Sequence, residues 1–185
     1  MNENQKHDEQ QEFQGFRLPR MRDIPDVGLL LEQTTRLVNS YLEPLESIRL
    51  SSSMVSNYVK QKLISRPVKK MYYREQIANL LFIAIAKTVL PLDAIKQILE
   101  RQREACDTET AYNHFCSEFE SALQRIDSRD AASSQVEARA LPSDYEQPLI
   151  AMLQYLVIAA VHKVALEAYV YKMLACTQPH STDAS

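Results

Sequence analysis

Glycine is nearly missing from this chain, with Gly15 and Gly28 its only two in 185 residues. A sheet-rich fold full of tight turns needs more positive-φ positions than that, so the scarcity predicts a mostly α protein. It also excludes a glycine-rich phosphate loop. Cysteine is sparse and odd in number: Cys106, Cys116 and Cys176 form no CxxC pair and cannot all pair with one another. With no secretion signal, that points to a reducing, cytoplasmic setting. Cys116 falls in an apolar helical stripe and reads as a small core residue.

Other signals are equally short. The start, MNENQKHDEQQ, is polar and charged, the opposite of a signal peptide. The longest apolar run, Leu149 to Val161, is interrupted by Gln154 and followed by His162 and Lys163. It is too short for a membrane span and is expected to be a deeply buried helix. Of the four histidines, His7 and His180 fall in the expected tails, and His114 and His162 each stand alone on a helix, so none is expected to ligate a metal. No nucleophile elbow, HExxH or DxD occurs. The expectation is a protein without catalysis, metal or cofactor.

What is present is a segregation of charge. From Ser47 to Arg74 there are seven basic residues and no acidic one: Arg49, Lys60, Lys62, Arg66, Lys69, Lys70 and Arg74. The chain as a whole carries net −3. A local positive island on an acidic protein attracts a polyanion despite the total.

Along the chain, residues 1–15 are expected to form a disordered tail. FRLPRMRDIPDVG reads as an extended lead-in pinned by Phe16, Leu18, Met21 and Ile24, with Asp26 as N-cap of the next helix. That helix spans Val27 to about Leu42 by its i, i+3, i+4, i+7 pattern. Ser51 caps a second helix with Val55, Tyr58, Val59 and Leu63 inward, and Ser53, Ser56, Asn57 and Lys60 outward. Pro67 stops it, and Val68, Met71, Tyr72 and Tyr73 favour a small β-hairpin. Helices follow over Arg74–Thr88, from Pro91, over Thr108 to about Ile126, and from about Ser143 to Leu174. A mobile loop is expected at about 127–141 and a second disordered tail at 177–185. Met152, Tyr155, His162 and Tyr169 are candidate lining for an apolar pocket, although core packing is the simpler use of the last helix.

The segment from Met54 to Glu100 resembles the winged helix-turn-helix module of MerR-type transcription regulators. The resemblance lies in Val55, Asn57 and Tyr58 on the helix, then Leu63-Ile64, a wing around Pro67, and Tyr73 with Glu75. Ile77, Leu80, Ile83, Leu92, Ile95 and Leu99 match the closing helix pair. MerR proteins usually carry glycine where this chain has Lys62, so that lysine either turns left-handed or extends the helix. Over a longer stretch, LPRMRDIPD, SMVSNYVKQKLISRPVKKMYYREQIA and LPLDAIKQIL are similar to an uncharacterised bacterial family, domain of unknown function 1836. That family implies a fold and no activity.

The MerR resemblance implies a winged domain over 16–104, a C-terminal helical region over 105–176, and double-stranded DNA as partner in transcription regulation. Lys60, Lys62, Arg66, Lys69, Lys70 and Arg74 would then neutralise phosphates, and Ser53, Ser56 and Asn57 would face base edges. Tyr72 or Tyr73 would support the wing or donate to a phosphate. A homodimer through the C-terminal helices is expected, with any small-molecule effector unknown. The alternative is a non-catalytic interaction module whose basic face docks an acidic partner.

Overall fold

Arg74–Ala86 carries apolar residues on every side, so it must be surrounded. In the computed structural model, which describes residues 13, 15–127 and 147–176, Gln76–Ala78 and Leu80–Ala86 are all buried. The described helices are α1 (Leu31–Tyr41), α2 (Ser52–Lys60), α3 (Arg74–Ala86), α4 (Leu92–Ala105), α5 (Thr108–Asp127) and α6 (Gln147–Cys176). Helices α1, α5 and α6 pack against α3, while α2 leans on α1 and α4 leans on α5 and α6. One hydrophobic cluster runs from Phe13 to Val164, through the boundary placed at 104–105. Its centre holds an aromatic chain, with Phe82–Phe115 centroids at 5.0 Å, Phe115–Phe119 at 5.9 Å and Phe16–Phe119 at 6.2 Å.

The lead-in is pinned as its apolar residues predict: Phe16, Leu18, Met21 and Ile24 are buried. Phe13 is buried too, so part of the expected N-terminal tail belongs to the core. The polar contacts of the lead-in converge on α5. Tyr112 donates its hydroxyl to the Pro19 carbonyl at 2.9 Å, and Met21 N donates to Asn113 Oδ1 at 2.9 Å. Glu120, itself buried, accepts from Leu18 N at 2.8 Å and from both Arg20 guanidinium nitrogens at 2.7 and 2.8 Å. That bidentate bond holds the Arg20 guanidinium above its ordinary pKa against the opposing pull of burial. Cys116 lies alongside as a core residue, its thiol pushed up to about 11 by burial.

Three expectations need correction. Asp26 does not cap the first helix, which starts at Leu31. Leu29 is drawn into a bridge with Tyr72, and Gln33 Oε1 accepts from Leu30 N at 2.9 Å. The expected β-hairpin wing is reduced to isolated bridges, Val68 with Met71 and Leu29 with Tyr72; among the described residues there is no strand. The ladder cannot grow, because Tyr72 N and O are both bonded to Leu29, and Tyr73 N donates to Gln76 Oε1. Pro67, beside the turn, has no N–H to offer. Gly28 permits the close approach, since a Cβ there would lie 2.9 Å from Met71 Cβ.

The third correction concerns α6. Only its middle is deeply buried, at Leu156, Val157, Ala160, Val161 and Val164. The helix extends well past the apolar run, and Pro148–Leu174, whose most apolar 18 residues have a mean hydropathy of 1.9, is long and apolar enough to cross a membrane by length and composition. Yet only 28% of those 18 residues are buried. Residues 1–12 and 14 of the tail expected at 1–15, the tail expected at 177–185 and most of the loop expected at 127–141 lie outside the described residues.

Glu120 is the test of how the lead-in is held. Replacing it with Ala removes a buried carboxylate and leaves Arg20 and Leu18 N without their acceptor. The expected loss is about 3 kcal/mol, read as a lower urea midpoint at unchanged m-value.

Candidate nucleic-acid interface

Helix α2 begins because Ser51 caps it, its Oγ accepting from Met54 N at 3.2 Å. Val55 and Tyr58 are buried, while Ser53, Ser56, Asn57 and Lys60 form an exposed i, i+3, i+4, i+7 stripe, as the pattern predicts. Local bonds engage the polar members. Ser51 and Ser53 hydroxyls lie 2.8 Å apart, Ser56 Oγ donates to Ser52 O at 2.9 Å, and Asn57 Oδ1 accepts from Gln61 Nε2 at 3.2 Å.

The helix closes with a left-handed residue, and that residue is Lys62, at φ +64°. Leu63 N bonds to Tyr58 O at 2.9 Å and Lys62 N to Val59 O at 3.1 Å, satisfying carbonyls that the helix end leaves open. Leu63 folds back into the core. Of the two courses open to a lysine here, the chain takes the left-handed one.

Lys69 and Lys70, at φ +49° and +67°, form the centre of a two-residue turn. Val68 and Met71 exchange both backbone bonds across it, at 3.0 and 2.9 Å. Positive φ at both central positions is the signature of a type I′ turn, where Asn-Gly is the comfortable pair. Among the described residues, the non-glycine positions with positive φ are Lys62, Lys69 and Lys70, and all three are exposed.

The loop carrying them is held at both ends. Gln76, buried in the first turn of α3, donates Nε2 to Ser65 O at 3.0 Å while its Oε1 accepts from Tyr73 N at 2.8 Å. From α4, Arg103 Nη2 donates to Leu63 O at 3.1 Å. Sequence reasoning missed both residues. Gln76 was detectable as a side chain three positions after a helix start, the spacing that reaches back to the N-cap N–H. Arg103 carries no sequence signal, because its acceptor lies 40 residues away.

Of the other sequence-named residues, Arg66 is exposed, and no ion pair engages Lys60, Lys62, Arg66, Lys69 or Lys70 among the described residues. Tyr73 is exposed at the start of α3. Tyr72 is only 4% exposed and supports the turn from beneath. Arg74 is half-buried and committed elsewhere, donating to Ile24 O at 2.9 Å and lying 3.7 Å from Asp26. A cavity of about 110 Å³ lies between α3, α4, α5 and α6, against Phe82, Leu99, Phe115 and Leu153, and Met152, Tyr155, His162 and Tyr169 are not among the residues that line it. Among the described residues no group of three or more His, Cys, Asp or Glu is placed to hold a metal.

Compared with known proteins, the sequence matches the family described as Domain of unknown function (DUF1836) over residues 19–115, just over half the chain, and it belongs to that family. No curated protein matches the chain, and no solved structure does.

Lys62→Gly tests the backbone cost directly. Relief of the left-handed conformation, partly offset by the greater chain entropy of glycine, is expected to stabilise the protein by about 1 kcal/mol in urea unfolding.

Proposed function

We propose that the protein binds double-stranded DNA through the segment from Ser53 to Tyr73, as a regulator of transcription with a reduced, MerR-like winged helix-turn-helix. The supporting observation is that, among the described residues, all three non-glycine left-handed positions hold lysine. Glycine or asparagine would relieve the backbone there, and backbone strain of this kind gathers at functional sites. At Lys62, Lys69 and Lys70 the strain accompanies an exposed positive charge with no acidic partner among the described residues.

In this reading α2 presents Ser53, Ser56 and Asn57 to base edges in the major groove. Asn57 reads an adenine once Gln61 releases its Oδ1. Lys60, Lys62, Arg66, Lys69 and Lys70 hold phosphates, with the two-residue turn in the place of a longer wing. Arg74, Gln76 and Arg103 position the backbone that carries these groups, Arg74 by fastening α3 to the lead-in. The turn has little reach, and that favours a second use of the same surface: docking an acidic protein partner.

Fluorescence anisotropy with duplex DNA separates the two. Binding is expected in the micromolar range at about 50 mM salt, falling with a log–log salt slope of about −4 to −5. Lys69→Ala combined with Lys70→Ala is expected to weaken it and flatten the slope by about 2. Lys62→Gly is expected to weaken binding while the fold gains stability. No binding at 50 mM salt excludes DNA and leaves the acidic protein partner.

A further inference from the structure

The four-helix junction of α3, α4, α5 and α6 leaves a hollow of about 110 Å³ in the core. Its deep walls are apolar: Phe82, Leu99 and Phe115 are buried, and the Phe82 and Phe115 rings stand edge to face at 84°. Its mouth lies at Cys106, His114 and Ile150, the exposed members of the lining. Apolar cavities of roughly this size stay dry and take up a single small ring.

One lining residue does not suit an apolar wall. From Ile77 to Ala86, Asn79 is the only polar residue of α3. Asparagine is a poor helix former, and this one is half-buried with a side chain that bonds to no described residue. Gln76, one turn earlier, has both ends of its amide engaged within the protein. The fold therefore explains Gln76 and gives Asn79 no internal use. Tyr112 turns its hydroxyl away to Pro19 O and offers the cavity only its ring. Gln102 gives its Nε2 to Cys106 O at 3.0 Å, which leaves its Oε1 as a second acceptor in the lining. Among the described residues, no lysine, arginine, aspartate or glutamate lines the cavity. A charged guest would lose its water there and gain no counter-charge.

We infer that this cavity binds a small uncharged molecule of the phenol class, one aromatic ring carrying a hydroxyl group. The ring fills the space against Phe82 and Phe115, where edge and face contacts are both on offer. The hydroxyl meets Asn79. A hydroxyl donates and accepts, as a carboxamide does, so the pair is satisfied whichever way the amide is turned. Apolar walls with a few polar groups that fix orientation are the usual form of a small-molecule site. Water is the weaker occupant, because a buried water needs about three polar partners and Asn79 shares its face of α3 with Phe82. The site lies apart from the basic segment and does not depend on what that segment binds.

Titration of the ¹⁵N-labelled full chain with phenol, followed by nuclear magnetic resonance, tests this. Saturable shifts are expected at Asn79, Gln102 and Ala111, including the Asn79 side-chain NH₂ signal, with a Kd of about 0.1–1 mM. Phenol is expected to bind at least as tightly as toluene, although water holds it better, and benzoate is expected not to bind. Asn79→Leu loses no internal bond, so its thermal midpoint is expected to be no lower than wild type. It is expected to weaken phenol about tenfold and to leave toluene binding intact. Ala111→Leu, which grows into the cavity, is expected to weaken both ligands while the protein stays folded. The inference is overturned by the absence of saturable shifts at about 10 mM phenol, or by shifts that cluster away from the cavity. Tighter binding of toluene or benzoate than of phenol to the wild type also overturns it. So does unchanged phenol affinity in Asn79→Leu, or a lowered midpoint there, which would assign the amide to the fold.

Discussion

The burial of α3 on all sides is the constraint from which the rest of the architecture follows. An apolar cylinder this complete cannot lie on a surface, and every neighbouring element is placed to shield it from water. The lead-in, α1, α5 and α6 all pack against it, and the aromatic chain of Phe16, Phe82, Phe115 and Phe119 joins the lead-in, α3 and α5. The polar chemistry of the interior then serves this packing. Glu120, Tyr112 and Asn113 each bond to the backbone of the lead-in, a segment with no regular ladder to satisfy its own N–H and C=O groups, and Glu120 holds the Arg20 side chain as well.

The same helix governs the basic segment through its first turn. Gln76 is at once a core residue, a cap for the start of α3 and the tether of Ser65. Tyr72 and Leu63 insert into the interior on either side of the turn, and Gly28 lets the chain from the lead-in pass against Met71. The lysines are thereby displayed on backbone whose course is fixed from below. Where glycine is so rare, its use at Gly28 and its absence at Lys62, Lys69 and Lys70 are both informative: one position needs the space, and the other three carry charge in spite of the conformation.

Much of the helical layout was legible in the sequence because apolar periodicity reports directly on which face is buried. Val55 and Tyr58 against Ser53, Ser56, Asn57 and Lys60 is a case in point. What was illegible depended on contacts between distant residues. The first helix starts at Leu31 because Leu29 pairs with Tyr72, and nothing near Asp26 announces that. The hairpin shrank for a similar reason, since β-branched and aromatic residues favour a strand but cannot show that their N–H groups are already taken. Composition made α6 look like an interior helix, whereas burial follows from what packs beside it, and its outer face lacks such a neighbour among the described residues. Of the site, the exposed stripe and the charges were readable; the left-handed turn lysines, the bond from Gln76 to Ser65 and the role of Arg103 were not.

Because Gln76 ties the loop to the most deeply buried helix, the displayed segment cannot loosen without disturbing the interior. Whatever meets it encounters a backbone already in its final form, with side-chain bonds such as that of Gln61 to Asn57 left to exchange. Little entropy is then lost in ordering on contact, and the cost of association falls mainly on the partner. On the proposed reading, recognition by such a surface would work as a mould does: it would select partners whose own contours and flexibility suit it.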